Sequence, residues 1–274
     1  MTAEFIVVLL LVGMGAGFAS GLMGMGGGFI MVPVQFWMLK SMGIEPDIAI
    51  RVSLGTNLLV VLFNAVNGAM AHHKRGAVVW RAGVTLGIAS VFGAYLGAIF
   101  ATHLPVKIMT LLFGTFIVLV AIRMLTAKPV EEVQAHSHKR SLLIAWGFVF
   151  GIFSGTLGVA GGGIYVPVMV FVLKFTMHQA VATSMVTMVF SAAGGSLSFM
   201  INGLGIEGLP PYSTGYLNWL QWVLLSGSGI PMAHLGARVA HRLKGNTIRY
   251  IFVTVLVYLG LKMTGIFEWL NLPI

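Results

Sequence analysis

The chain has 274 residues and a net charge of +9, with 58% hydrophobic and only 8% charged residues. A soluble domain carries roughly 25% charged residues, so this composition excludes a water-facing globular surface. There is no cysteine, which excludes a disulfide framework and a thiolate metal site. The excess of Lys and Arg reads as the cytoplasmic-loop bias of membrane proteins, not as a nucleic-acid surface.

In chain order, apolar segments are expected near 4 to 22, 29 to 40, 48 to 71, 82 to 102 and 106 to 126. A second set follows near 142 to 156, 163 to 174, 179 to 202, 215 to 239 and 248 to 268. Apart from the second of each five, which is too short for an ordinary span, these suffice to cross about 30 Å of hydrocarbon as helices. The first Lys or Arg is Lys40, so no basic stretch opens a cleavable signal, and the first segment is expected to stay as a helix.

The two sets are copies. Residues 17 to 34, GFASGLMGMGGGFIMVPV, and 151 to 168, GIFSGTLGVAGGGIYVPV, are identical at 10 of 18 positions with a shift of 134. Ala49, Ser53 and Thr56 recur as Ala180, Ser184 and Thr187; Leu96-Gly97-Ala98 recurs as Leu235-Gly236-Ala237; and Arg123-Met124 is echoed by Lys262-Met263. The expected organisation is a first membrane repeat over 1–126, a cytoplasmic linker over 127–141 and a second repeat over 142–274.

Charge arbitrates the orientation of the copies. If the short second segment crosses, one side receives Lys74, Arg75, Arg81, Arg123, Lys128, Lys139, Arg140, Lys174, Arg238, Arg242, Lys244 and Arg249. The other side receives Lys40, Arg51 and Lys107, a split of twelve to three with Lys262 left within a span. Four crossings per half, the alternative of eight spans as two repeats of four, would split the same charges seven to eight. The bias favours an all-α polytopic protein of two inverted repeats of about five helical segments, multi-pass in an inner (cell) membrane, with both termini outside the cytoplasm.

Each half has a Gly-rich interruption inside an apolar run, Gly21 to Gly28 and Gly155 to Gly163, followed by Pro33 or Pro167. Broken backbone at membrane depth survives only where protein or a water-filled cavity satisfies it, so paired breaks point to a binding site. A half-helix that starts after a break presents unpaired N–H groups and a positive dipole end, which suit an oxyanion. Close packing is the competing reading, since Gly13, Gly17 and Gly21, Gly24 and Gly28, Gly151 and Gly155, and Gly158 and Gly162 all lie four apart.

Ser53, Thr56 and Asn57 open the third segment of one half, and Thr183, Ser184 and Thr187 that of the other. Their hydroxyls and amide would supply donors to an anion, or would bond their own backbone. Arg51, whose counterpart is Ala182, would neutralise an anion or snorkel to the interface. His234, inside a span, would carry a proton or pack; Gly93 and Gly97 would pack helices within one chain or in a homodimer. All seven acidic residues lie in loops or near segment ends, leaving no midplane carboxylate for Na⁺ or a metal ion. With no HExxH, Cys, paired acids or P-loop, the chain reads as neither an enzyme nor a cofactor-binding protein.

These residues resemble a known family, the sulfite exporter TauE/SafE membrane permeases. The likeness lies in SGLMGMGGGFIMVP and SGTLGVAGGGIYVP, in Ala182-Thr183-Ser184, and in GSGIPMAHLGARVAHRL from Gly227 to Leu243. It implies transport, often export, of sulfite, sulfoacetate or related organosulfonates. By that resemblance Gly24, Gly27, Gly28 and Ser53 would line one half of the path, and Gly158, Gly161, Gly162, Thr183 and Ser184 the other. The first half departs from the pattern with Arg51-Val52-Ser53, an added charge that would favour a dianion. The expected function is a secondary transporter of a small anion by alternating access around a midplane site, with the lipid bilayer and the solute as its only partners besides a possible second copy. The alternative is a passive anion channel, or a permease for another small carboxylate or oxyanion.

Overall fold

The computed structural model describes residues 3–23, 27–74, 76–126, 139–159, 162–240 and 245–266. Gly24, Gly161, the linker segment 127–138, and Arg75, Arg242 and Lys244 of the charge argument lie outside these residues. Among the described residues ten helices follow one another: α1 (Ala3–Met23), α2 (Gly28–Ser41), α3 (Pro46–His73), α4 (Trp80–His103) and α5 (Val106–Thr126), then α6 (Arg140–Leu157), α7 (Gly162–Phe171), α8 (Met177–Asn202), α9 (Trp219–Ala240) and α10 (Gly245–Thr264). Five stretches among them are long and apolar enough to cross a membrane: Pro46–Met70, Trp80–His103, Val106–Arg123, Arg140–Leu157 and His178–Asn202.

Local chemistry places the helix ends. Pro46 occupies the first turn of α3, where its missing N–H costs nothing. Gly43, at φ 81°, turns the chain between α2 and α3, its N–H on the Lys40 carbonyl and that of Ile44 on Leu39. A capping box between Thr176 and Gln179 starts α8.

Apolar surface faces outward and polar groups face inward, the arrangement lipid demands. Phe92, Leu96 and Phe100 of α4 and Leu111 and Leu119 of α5 are exposed, whereas Gln35, Ser53, Thr56, Asn57, Thr183, Ser184 and Thr187 are wholly buried.

The halves are inverted. α3 meets α8 with Gly55 against Phe199, Leu58 against Gly195 and Gly68 against Met185, so the two equivalent helices run antiparallel. α4 runs parallel to α8, Gly83 meeting Val186, Gly87 meeting Phe190 and Val91 meeting Gly194. Both relations fit an odd number of crossings per half, as in the expected five, and not four.

Glycines let the helices approach to backbone contact. Gly13 and Gly17 of α1 lie on Leu225, Ser228 and Gly229 of α9; in the equivalent pair across the halves Gly147, Gly151 and Gly155 of α6 lie on Leu86, Ser90 and Ala94 of α4. Gly93 and Gly97 pack against Phe148 and Ile152 of α6, within the same chain. A Cβ at Gly151 would overlap the Ser90 carbonyl. Gly151→Val is therefore expected to destabilise the detergent-solubilised protein by about 2 kcal/mol or more, since overpacking costs about 1–3 kcal/mol even where side chains can yield; thermal unfolding with an unchanged midpoint would refute the close approach.

One element differs from the sequence expectation. The fourth apolar stretch of the second half starts at Trp219 and not near 215, because Ser213–Thr214 and Leu217–Asn218 pair as a short antiparallel hairpin. Its turn buries Tyr216, whose N–H donates to the Phe199 carbonyl at 3.2 Å, while Gly55 and Gly203 leave room for that backbone.

Candidate functional site

The two Gly-rich breaks converge on one side chain. α6 ends at Gly158 in the left-handed conformation, φ 60°, and α2 is preceded by Gly27 at φ 70°. The Asn57 Nδ2 donates to the Gly158 carbonyl at 2.6 Å, and a Cβ at Gly28 would overlap the same carboxamide. Gly158 also abuts Leu54, one turn earlier on α3. At Gly27, a Cβ would come within 2.6 Å of the Ala16 carbonyl of α1, so the chain folds back on itself after the break.

Asn57 lies eleven residues after the start of α3 and sixteen before its end. At 1.5 Å per residue that is about 17 Å and about 24 Å along the axis, the middle of the span. Two interruptions of helical backbone thus meet mid-span around a buried carboxamide whose Oδ1 has no hydrogen-bond partner among the described residues. The start of α2 brings N–H groups to such a site, Gly28 lying against the Asn57 carboxamide, because the first N–H groups of any helix lack intrahelical acceptors.

The remaining sequence candidates divide into two groups. Ser53, Ser184 and Thr187 donate to carbonyls of their own helices, Ala49 at 2.7 Å, Val181 at 2.8 Å and Thr183 at 3.2 Å. Their oxygens keep lone pairs, but their protons are committed to the helix. Thr56 and Thr183 instead hold the other half: the Asn218 N–H at the start of α9 donates to Thr56 Oγ1 at 2.9 Å, and the Val79 N–H at the start of α4 donates to Thr183 Oγ1 at 3.1 Å.

Val79 and Asn218 are equivalent in the repeat, each preceding the Trp that opens its helix, yet their acceptors are not: the counterpart of Thr56 is Thr187, four residues from Thr183. The two crossings differ by one helical turn, about 6 Å of rise.

Arg51 does not stand alone at the site. Its Nη2 lies 3.6 Å from Asp47 Oδ1, its Nη1 is 3.4 Å from the Tyr216 hydroxyl, and its guanidinium carbon is 5.9 Å from the Tyr216 ring centroid. It sits six residues, about 9 Å along the helix, from Asn57. Asp47 is itself bound, its Oδ1 accepting the Val106 N–H at 3.0 Å, so this end of the bundle is a charge-tied cap under the hairpin. The His234 ring lies 2.9 Å from the Ile230 carbonyl of its own helix through Nδ1.

Sequence reasoning missed the buried amides Gln35 and Gln221, both fully shielded. The available signal was a lone carboxamide inside an apolar run, in FIMVPVQFWM and NWLQWVLL.

Comparison with known proteins agrees with a membrane protein. The chain is 28% identical to a probable membrane transporter protein of Haemophilus influenzae over 94% of its own length and 98% of that protein's. It is 28% identical to the probable membrane transporter protein YunE of Bacillus subtilis, covering 96% and 99% of the two chains. A probable membrane transporter protein of Methanocaldococcus jannaschii is likewise 28% identical, over 95% and 97%. No solved structure matches. The family model described as sulfite exporter TauE/SafE matches residues 9–263, and the chain belongs to that family of membrane transporters.

Proposed function

We propose that this membrane transporter is a secondary exporter of small sulfur-containing oxyanions such as sulfite, sulfoacetate or other organosulfonates, working by alternating access around Asn57. The carrying observation is the meeting of both glycine breaks on that one carboxamide. Helix starts supply N–H donors to oxyanion oxygens without a fixed counter-charge. The name of the matched family supports the sulfur oxyanion.

The one-turn difference between the Thr56–Asn218 and Thr183–Val79 crossings supports alternating access. Inverted repeats exchange conformations when a transporter switches, so any single state has unequal halves. By the charge bias, the end carrying Arg51 and the hairpin faces outward from an inner membrane, as do both termini.

Purified protein in liposomes is expected to move labelled sulfite or sulfoacetate at least tenfold faster than empty vesicles, with saturation and without unitary currents. Transport no faster than in empty vesicles for every sulfur oxyanion tried would sink the cargo assignment; stepwise single-channel currents would replace the carrier by a channel.

A further inference from the structure

The interface between α2, α3 and α9 holds polar side chains that its own surroundings leave unsatisfied. Gln35 and Gln221 are fully buried, and neither the nitrogen nor the oxygen of either carboxamide has a hydrogen-bond partner among the described residues. The same is true of both carboxamide atoms of Asn64, of Asn57 Oδ1, of Trp222 Nε1 and of Ser226 Oγ. Among the described residues only Arg51 Nε and Ser154 Oγ share this condition elsewhere.

These groups are aligned. Spacings of three and four put Gln35 on the face of α2 that carries Met31 and Met38, Asn57 and Asn64 on the face of α3 that carries Val60, and Gln221 and Trp222 on the face of α9 that carries Leu225. Met31, Met38, Val60 and Leu225 belong to one buried cluster with Trp222 packed on it, and the Trp222 ring is 5.0 Å from that of Phe63. The unsatisfied groups therefore occupy the faces that meet.

The repeat supplies an internal control. Met31 and Val60 correspond to Tyr165 and Ser191, whose hydroxyls lie 3.0 Å apart, with the Tyr165 hydroxyl also 3.1 Å from the Phe150 carbonyl. Gln35 corresponds to Met169, Asn64 to Gly195, Gln221 to Ala82, Trp222 to Gly83 and Ser226 to Gly87. The counterpart interface thus lacks these carboxamides, and Gly83 and Gly87 let Val186 and Phe190 close against α4. One interface is sealed; the other keeps hydrogen-bonding groups that the described residues leave open to a polar guest or water.

We propose that the α2–α3–α9 interface is the lane through which the solute passes, and that it takes a small oxyanion held by neutral N–H and O–H donors. Gln35, Asn64 and Gln221 offer carboxamide N–H groups, and Trp222 and Ser226 an indole N–H and a hydroxyl. No side chain of this set bears a formal charge, so an anion is held tightly enough to enter and loosely enough to leave. The lane rests on the transporter reading and extends it to residues on both sides of the Asn57 level.

The protein has no cysteine, so a single introduced thiol reports alone. Gln35→Cys and Gln221→Cys are to be compared with Met169→Cys and Ala82→Cys in proteoliposomes, using a membrane-impermeant anionic methanethiosulfonate with and without sulfoacetate. Lane thiols are expected to react at least tenfold faster than their counterparts and to be slowed by sulfoacetate; equal rates at the two interfaces would overturn the lane. Gln35→Met, which installs the residue of the other half, covers a failure of the thiol variants to fold. It is expected to unfold at the same or a higher temperature while sulfoacetate transport falls at least tenfold; lower stability with full transport would overturn the lane. Unequal labelling without transport of any oxyanion upholds the lane and removes the cargo assignment, whereas transport with unlabelled lane thiols removes the lane alone.

Discussion

Asn57→Ala is expected to abolish oxyanion transport in proteoliposomes and to lower the thermal unfolding midpoint. The substitution removes the donor that reaches the Gly158 carbonyl at 2.6 Å, in a region fully shielded from solvent. An acceptor left buried without its donor costs about 1–3 kcal/mol, and the cavity left by the carboxamide adds to this. Transport suffers more than stability, because Asn57 contacts both breaks and so sets their spacing. Asn57→Asp, close to it in shape, should be no better: a carboxylate has no proton to offer the carbonyl and would repel an arriving anion. Full transport by either variant, measured as labelled sulfoacetate flux, would show that the meeting of the breaks does not matter to function.

The second large effect is expected at Gly158→Ala. Gly158 holds φ 60°, where a residue with a Cβ loses roughly 1–2 kcal/mol. The added methyl would also lie 2.6 Å from the Leu54 Cβ and 2.7 Å from its Cα, atoms that cannot swing away. Together the two costs should reach on the order of 3 kcal/mol, by the same left-handed penalty plus overpacking. Gly43→Ala provides the comparison, since Gly43 has φ 81° but open space around it. It should pay only the conformational cost and keep transport intact. If denaturant unfolding in detergent shows equal losses at the two sites, the close approach of Gly158 to α3 is not what the break requires.

Much of this architecture is readable from residue order. The expected helix 48 to 71 became Pro46–His73, and 106 to 126 was observed as Val106–Thr126, because length and apolarity are local properties that lipid enforces on each helix separately. Inversion was also legible: Lys and Arg sort by side one loop at a time, and the antiparallel α3–α8 contact agrees with the odd crossing number they imply. Gly13 and Gly17 pack helices, as their spacing of four suggests.

The site was less legible. Ser53, Thr56 and Asn57 look alike in sequence, as polar residues on one helix, yet Ser53 turns back to Ala49, Thr56 anchors α9, and only Asn57 spans to the opposite break. Arg51 reads as an anion partner until the hairpin places Tyr216 and the helix places Asp47 beside it. That hairpin is two residues per strand and carries no periodicity; its register depends on the Phe199 carbonyl and on the room left by Gly55 and Gly203.

By itself the sequence determined the number, length and opposed orientation of the apolar helices and the position of the breaks within them, because hydrophobic length, loop charge and glycine act over a few neighbouring residues. Only the tertiary structure decided that Asn57 joins the breaks, that Thr56 and Thr183 hold crossings one turn apart, and that Gln35, Asn64 and Gln221 share an unsatisfied interface. A hydrogen bond across helices depends on what stands opposite, and residues more than a hundred positions apart, such as Asn57 and Gly158, become neighbours only when the two halves pack.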